Sequence, residues 1–162
     1  MEIRKINFRG KTIKDNRWVY GHYFVTPLTD EDSGADQKTG WFFLTGEKRH
    51  CISNENGAVF VVDEKTVSQS TSLKDKNGVE IFEGDIVRAV YQENEGGGWV
   101  SESKIMGIVK FDPYWGVKFD CKDGTQRTAQ YWGESYKDFR AVEIIGNIYE
   151  NPELLTSPLQ EQ

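Results

Sequence analysis

The chain has 162 residues, a formal net charge of −6, 37% hydrophobic residues and 13% aromatic residues. A chain of this length forms one domain or two small ones. The aromatic excess and the sixteen glycines favour short strands joined by many turns. The surplus acid lies in the second half, because residues 1–72 carry ten basic and ten acidic side chains and residues 73–162 carry ten and sixteen. Phosphate backbones repel such a surface, which disfavours extensive nucleic-acid binding.

The start of the chain, Met1 to Arg4, does not resemble a signal peptide, and no apolar run approaches the ~20 residues that cross a bilayer. Cys51 and Cys121 lie far apart, which is typical neither of a disulfide framework nor of a zinc ribbon. We therefore expect a cytoplasmic protein with no membrane contact, no bound metal and no cofactor.

Alternating apolar and polar residues predict β-strands through the first half of the chain. The expected strands are residues 4–8, 17–25, 41–44, 51–52 and 58–62, with a turn at Asp15-Asn16 and a polar loop at 29–40. Residues 1–71 thus form a predicted N-terminal β-subdomain.

Cations are concentrated at the beginning of the chain, where Arg4, Lys5, Arg9 and Lys11 face few acids. On an edge strand such cations discourage aggregation between strands, which is the simpler interpretation. The alternative is a nucleic-acid-binding edge formed by the same four residues.

Residues 73–87, LKDKNGVEIFEGDIV, are the most specific segment of the sequence. Asn77-Gly78 predicts a type I′ hairpin turn, which needs two residues with positive φ. The segment resembles the hallmark of the YopX family of small phage and prophage proteins. Further agreement comes, in the same order, from FRGK at 8–11 with WVYG at 18–21, and from EIIGNIYENPELL at 143–155. The resemblance implies a phage- or prophage-encoded accessory protein and supplies no catalytic residues.

The second half predicts an SH3-like barrel over residues 72–150, packed against the N-terminal subdomain, so that the protein is all-β. Its expected strands are residues 85–91, 104–111, 116–121, 128–132 and 142–149. Helix is expected only as one turn within 133–139 and in a short tail, 151–162, where Asn151-Pro152-Glu153 supplies a cap, a proline and an early acid.

His50 and Cys51 are the strongest candidates for catalytic residues, either as a general base and a nucleophile or as two metal ligands. Adjacent strand residues point to opposite faces, however, so the two side chains do not converge. His22 lies among aromatic residues in a predicted strand, and the sequence contains no phosphate-binding glycine loop and no nucleophile elbow. The sequence therefore predicts no catalytic residues and a protein that is not an enzyme.

Trp99, Trp115 and Trp132 are the candidate partner contacts, although aromatic residues also fill cores that are short of aliphatic ones. Trp99 follows Gly96-Gly97-Gly98, and we expect it to be half-exposed in a monomer or buried against a neighbouring subunit. The polar loops 29–40 and 93–98 are expected to be the most mobile segments. The leading hypothesis is a homo-oligomeric accessory protein that contacts other proteins. The alternatives are a nucleic-acid-binding module and an enzyme of unrecognised type.

Overall fold

The structure is a computed structural model that describes residues 7–29, 44–95, 99–112, 114, 116–128 and 142–156. These ranges contain strands β1 (Phe8–Lys11), β2 (Trp18–Thr29), β3 (Leu44–Ser53), β4 (Val59–Val61), β5 (Ser68–Lys74), β6 (Glu80–Phe82), β7 (Asp85–Glu95), β8 (Trp99–Asp112), β9 (Gly116–Cys121), β10 (Gln126–Thr128) and β11 (Glu143–Asn147), and one short helix, α1 (Glu153–Thr156). Every strand pairing within these ranges is antiparallel, so the all-β prediction is confirmed.

The chain divides into two compact units, Met1–Gln69 and Ser70–Gln162. In the first unit the strands lie in the order β4-β3-β2-β1, and the opening residues of β5 pair with the other side of β1. Its core is formed by the buried side chains of Val19, Ile52 and Val62.

The end of β4 returns to the end of β1. Thr12 and Val62 form an isolated bridge, the Ile13 N–H donates to the Val61 carbonyl at 3.1 Å, and the Asp63 N–H donates to the Lys11 carbonyl at 2.8 Å. The Val62 N–H also donates to the His50 carbonyl at 2.9 Å, so the ends of β1 and β4 lie beside the middle of β3.

The second unit contains the β5–β6 hairpin and a five-stranded sheet in the order β10-β9-β8-β7-β11. The hydrophobic core of this unit contains residues of the hairpin and of the five-stranded sheet, including Ile81, Val87, Val109 and Phe119. Four of the five predicted strands correspond to β7, β8, β9 and β11, whereas the predicted strand 128–132 overlaps β10 only at Thr128, and residues 129–132 lie outside the described residues. Within the described ranges β10 and β11 stand at opposite edges, so the sheet is open and closure into an SH3-like barrel is not seen.

Several strands are longer than the sequence patterns predict. The end of the predicted strand 41–44 and the predicted strand 51–52 belong to the continuous strand β3. The polar residues in the middle of β3 interrupt the alternation of apolar and polar residues on which the prediction was based. The predicted loop 93–98 is wrong over residues 93–95, because β7 runs to Glu95 and pairs there with Trp99. The predictions for residues 4–6, 30–40, 96–98 and 133–139 lie outside the described residues.

The turn at Asn77-Gly78 is not type I′, because Gly78 has φ 82° while Asn77 has no positive φ. The Gly78 N–H donates to the Asp75 carbonyl at 2.9 Å, and the Asp75 N–H donates to the Val79 carbonyl at 2.8 Å. This pattern is a type I turn followed by a left-handed glycine. The turns Asn54 to Ala58 and Cys121 to Thr125 repeat both bonds, with Gly57 and Gly124 in the glycine position.

The predicted helical tail is confirmed as a single short helix, α1, immediately after Asn151-Pro152. The Leu154 N–H donates to the Asn151 carbonyl at 3.1 Å. In the described part of the chain, no helix is long and apolar enough to cross a membrane.

Candidate functional site

A cleft of about 630 Å³ opens in the first unit where the ends of β1 and β4 meet the middle of β3. Its walls include Thr12 and Ile13 after β1, Lys48 and His50 on β3, and Glu64 after β4. Pockets for small molecules usually fall between ~300 and 1,000 Å³, so the cleft has the size of a ligand site.

His50 is held at both ring nitrogens. The Tyr23 hydroxyl lies 2.6 Å from Nδ1, and Oε2 of Glu64 lies 3.3 Å from Nε2. The ionised carboxylate only accepts hydrogen bonds, so the ring nitrogen that faces it is suited to carry a proton. The imidazole is thereby held between a hydroxyl and a carboxylate on the cleft wall.

Strand register brings these side chains together. Tyr23 pairs with Ile52 and Val25 pairs with His50, which makes Tyr23 and His50 diagonal neighbours on one face of β2 and β3. Their rings stack with centroids 5.9 Å apart and an interplanar angle of 22°. Glu64 opens the single 3-10 turn that follows β4 and approaches His50 from the other side.

Burial raises the pKa of the Tyr23 hydroxyl above its usual value, and the Glu64 carboxylate and the Cys51 thiol raise that pKa further. Tyr23 therefore stays protonated at neutral pH and orients the imidazole, which is the opposite of what an activated nucleophile needs. Lys48 lies two residues from His50 on the same face of β3. Lys48 on the cleft wall can thus offer its ammonium group to a ligand that accepts hydrogen bonds.

His50 and Cys51 face opposite sides of β3. Cys51 is buried and pairs with Phe24, whereas His50 pairs with Val25 and lines the cleft. The two side chains form no base–nucleophile pair. Within the described ranges no three His, Cys, Asp or Glu side chains are grouped closely enough to hold a metal ion.

The cationic residues of β1 lie inside a sheet. β1 pairs with β2 on one side and with β5 on the other, so its interpretation as an edge strand is wrong. Arg9 is 7% exposed and Lys11 is 9% exposed. The Arg9 guanidinium lies 4.7 Å and the Lys11 ammonium 5.4 Å from the centre of the Trp18 ring, which accommodates both charges in cation–π contacts. Arg4 and Lys5 lie outside the described residues.

The three tryptophans proposed as partner contacts are only partly placed. Trp99 is the first residue of β8, at the outer end of the β7–β8 hairpin, and its side chain is outside the described part of the structure. Trp115 and Trp132 lie outside the described residues altogether.

In segment 73–87, the side chain of Asp75 binds the backbone of its own turn and of β11. Oδ1 accepts from the Asn77 N–H at 2.8 Å and from the Val79 N–H at 2.9 Å. Oδ2 accepts from the Asn77 side-chain amide at 3.2 Å and from the Ile144 N–H at 3.4 Å. Burial raises the pKa of this carboxyl, but the backbone hydrogen bonds outweigh burial and hold the pKa below its usual value.

Lys76 adds two further contacts to β11 and the residue before it. Its N–H donates to the Val142 carbonyl at 2.8 Å, and its ammonium lies 3.0 Å from Oε2 of Glu143. The same Glu143 oxygen lies 2.8 Å from the Arg88 guanidinium of β7. Hydrogen bonds from Arg88 and Lys76 lower the pKa of Glu143.

Asp85 is buried to 1% exposure, and its Oδ2 accepts from the Phe82 N–H at 2.8 Å. Between them Gly84, with φ 80°, donates its N–H to the Val109 carbonyl and accepts from the Ile148 N–H, both at 2.9 Å. The polar groups of segment 73–87 therefore organise the second unit itself.

The fold and these contacts define a small antiparallel β-protein of two units, whose most specific sequence segment builds turns. A family model described as YopX protein matches residues 7–156, so the chain belongs to the YopX family. Among solved structures it is similar to protein EF1440 from Enterococcus faecalis, with 26% identity over 93% of this chain and 97% of that chain and a TM-score of 0.38. No curated protein matches the chain.

Proposed function

We propose that this protein is a phage- or prophage-derived accessory protein that acts without catalysis, through protein–protein contacts, in the cytoplasm of a bacterial host. Membership of the YopX family supports the comparison with small phage proteins. The buried, hydrogen-bonded carboxylates of Asp75 and Asp85 and the raised pKa of Tyr23 support a non-catalytic role, because none of the three is poised to react.

The observation that carries the proposal is Tyr114, which is 88% exposed on the turn between β8 and β9. Its backbone is tied to the end of β8, since Oδ1 of Asp112 accepts from the Tyr114 N–H at 2.9 Å. The Lys118 ammonium lies 3.6 Å from the other oxygen of Asp112. A tyrosine has only two side-chain χ angles and loses little conformational entropy on binding, which is what an interface anchor requires.

A capture experiment with the full chain tests this role. Tagged wild-type protein, Tyr114→Ala and the matched control Tyr20→Ala are compared in cells that carry the phage or prophage. Tyr114→Ala should retain about tenfold less of a specific partner, as expected for an anchor worth ~1.4 kcal/mol. Tyr20→Ala removes an exposed aromatic from the first unit and should retain the partner normally. Equal retention by all three proteins contradicts the role of Tyr114.

An SH3-like architecture for the second unit is part of the same proposal. The order β11-β7-β8-β9-β10 supports it, because a four-strand meander is followed by a fifth strand that returns beside the first. We expect nuclear Overhauser effects between protons of β10 and β11, because a closed barrel brings these two strands together. Their absence in an assigned spectrum would show that the sheet is open.

Nucleic-acid binding is the weaker alternative, because Arg9 and Lys11 are largely withdrawn from solvent. It predicts binding to DNA or RNA that weakens steeply with salt and is reduced by Arg4→Ala and Lys5→Ala. No change in nucleic-acid mobility at low salt would exclude it.

A further inference from the structure

The cleft of the first unit has an apolar wall that the backbone holds in place. The Thr12 N–H donates to the Arg17 carbonyl at 3.0 Å, which closes the turn after β1. Within this turn the Ile13 N–H donates to the Val61 carbonyl of β4 at 3.1 Å. The Ile13 side chain is nevertheless 68% exposed at the cleft. An apolar ligand group that covers this side chain removes water from both surfaces, which favours binding.

Asp63, Glu64 and Lys48 line the same cleft but differ in what they contact. Oδ1 of Asp63 accepts from the Lys65 N–H at 3.0 Å. Oε2 of Glu64 lies beside Nε2 of His50. Within the described ranges the Lys48 side chain has neither an ion pair nor a hydrogen bond. A ligand can therefore reach the Lys48 ammonium group without breaking an existing contact.

We propose that this cleft binds a small organic acid that carries a single negative charge on an apolar body. The acid group pairs with the Lys48 ammonium, and the apolar body covers Ile13. A single charge suits the walls better than a phosphate dianion, because Asp63 and Glu64 repel each additional negative charge. The site lies wholly in the first unit, so the inference goes beyond the proposed contact through Tyr114 in the second.

Three compounds of known charge test the site in the full chain. Anilinonaphthalene sulfonate is a fluorescent organic acid of this class, with one negative charge on an apolar ring system. Octanoate and octanol share an apolar chain, but only octanoate is charged at neutral pH. Titration of the sulfonate at low ionic strength, where charges are little screened, gives its Kd, and its displacement gives the Kd of octanoate and of octanol.

Replacing Lys48 separates the effect of its charge from that of the apolar surface. Lys48→Gln should weaken binding of the sulfonate and of octanoate about fivefold, the size expected for a favourable exposed ion pair, and leave binding of octanol unchanged. Lys14→Gln is the matched control, because Lys14 is an exposed lysine of the same unit that does not line the cleft. Ile13→Ser should weaken binding of all three compounds. Both Lys48 and Ile13 are exposed, so these substitutions should leave the melting temperature unchanged.

Weaker binding of the two acids to Lys48→Gln, with normal binding to Lys14→Gln, is the expected result. Equal affinities of the two lysine variants for the acids would overturn the cleft as the site, because only Lys48 lies on its walls. Equal weakening of octanoate and octanol in Lys48→Gln would overturn the ion pair. Failure of the wild-type chain to bind the sulfonate would overturn the inference as a whole.

Discussion

Oδ2 of Asp75 lies 3.4 Å from the backbone nitrogen of Ile144, sixty-nine residues further along the chain. Its other oxygen binds the N–H groups of Asn77 and Val79 within the β5–β6 turn. One buried carboxylate therefore joins this turn to the start of β11.

Replacing Asp75 with alanine should lower the free energy of unfolding by about 1–3 kcal/mol, because the backbone N–H groups of Asn77, Val79 and Ile144 lose their acceptor. Asn54→Ala is the matched control, since Oδ1 of Asn54 accepts from the Asn56 N–H at 3.0 Å and from the Ala58 N–H at 2.9 Å in the equivalent turn and, among the described residues, makes no hydrogen bond with β11. Urea unfolding of both variants measures the difference. An equal loss in the two variants would show that the contact with β11 contributes nothing.

The same carboxylate predicts a pH dependence of stability. Its pKa is lowered in the folded protein, because the hydrogen bonds from Val79, Asn77 and Ile144 outweigh the effect of burial. The contribution of Asp75 is therefore complete above its unfolded pKa of ~3.9 and is lost as the pH falls through the folded pKa. The unfolding free energy of Asp75→Asn should fall less steeply with acid than that of the wild type. Parallel curves would contradict the assignment.

Gly78 tests the turn itself. It has φ 82°, and a Cβ added there would meet nothing within 4 Å, so a substitution strains only the backbone. Gly78→Val should lower the melting temperature and cost ~1–2 kcal/mol or more, because a β-branched residue resists positive φ. Gly78→Asn is the control, since asparagine tolerates this conformation. Equal melting temperatures for wild type and Gly78→Val would show that the turn does not require a glycine with positive φ at position 78.

Sequence patterns predicted the strands of the second unit well, because alternation and the Gly-Asp and Asp-Gly turns are local signals. They failed at Asn77-Gly78, where the Asp75 side chain stabilises a type I turn by bonding two N–H groups. They also failed for β1, whose cations suggested an edge strand although β5 covers its second side. That pairing links residues about sixty positions apart and leaves no local signature.

The cleft could not be predicted from sequence at all. Tyr23 is twenty-seven residues from His50, and the two meet only because Val25 is the residue paired with His50. A one-residue change of register would place Tyr23 on the opposite face. Glu64 contacts His50 because β4 returns to β1 before the 3-10 turn, which is a property of the assembled unit.

Gly21, the last residue of the WVYG segment, should tolerate no side chain. It has φ 150°, and an added Cβ would lie 1.9 Å from the backbone oxygen of Ser53. Gly21→Ala should therefore unfold the first unit or shift β2 relative to β3. Gly57→Ala is the control, because Gly57 also has positive φ but its Cβ would meet nothing within 4 Å. Thermal unfolding should show a much larger loss for Gly21→Ala, and similar losses would refute the close approach.

The last prediction concerns the charge beside Tyr23. Burial is the main cause of its raised pKa, and the Glu64 carboxylate is the next. Glu64→Gln should therefore lower the pKa of Tyr23 without restoring its usual value, whereas Glu55→Gln, at an exposed acid of the same unit, should leave it unchanged. Tyrosinate absorbance, taken as the difference between each protein and its Tyr23→Phe partner, measures this pKa.

The raised pKa also fixes how stability changes in alkali. Between the unfolded pKa of ~10 and the folded value, the unfolded chain has lost the Tyr23 proton and the folded chain has kept it. The contribution of Tyr23 to stability is therefore complete below about pH 10 and declines as the pH rises. Tyr23→Phe should remove this part of the alkaline loss. An unchanged pKa of Tyr23 in Glu64→Gln would show that the Glu64 carboxylate does not act on the Tyr23 hydroxyl in solution. The electrostatic coupling between Glu64 and Tyr23 that the geometry indicates would then be absent.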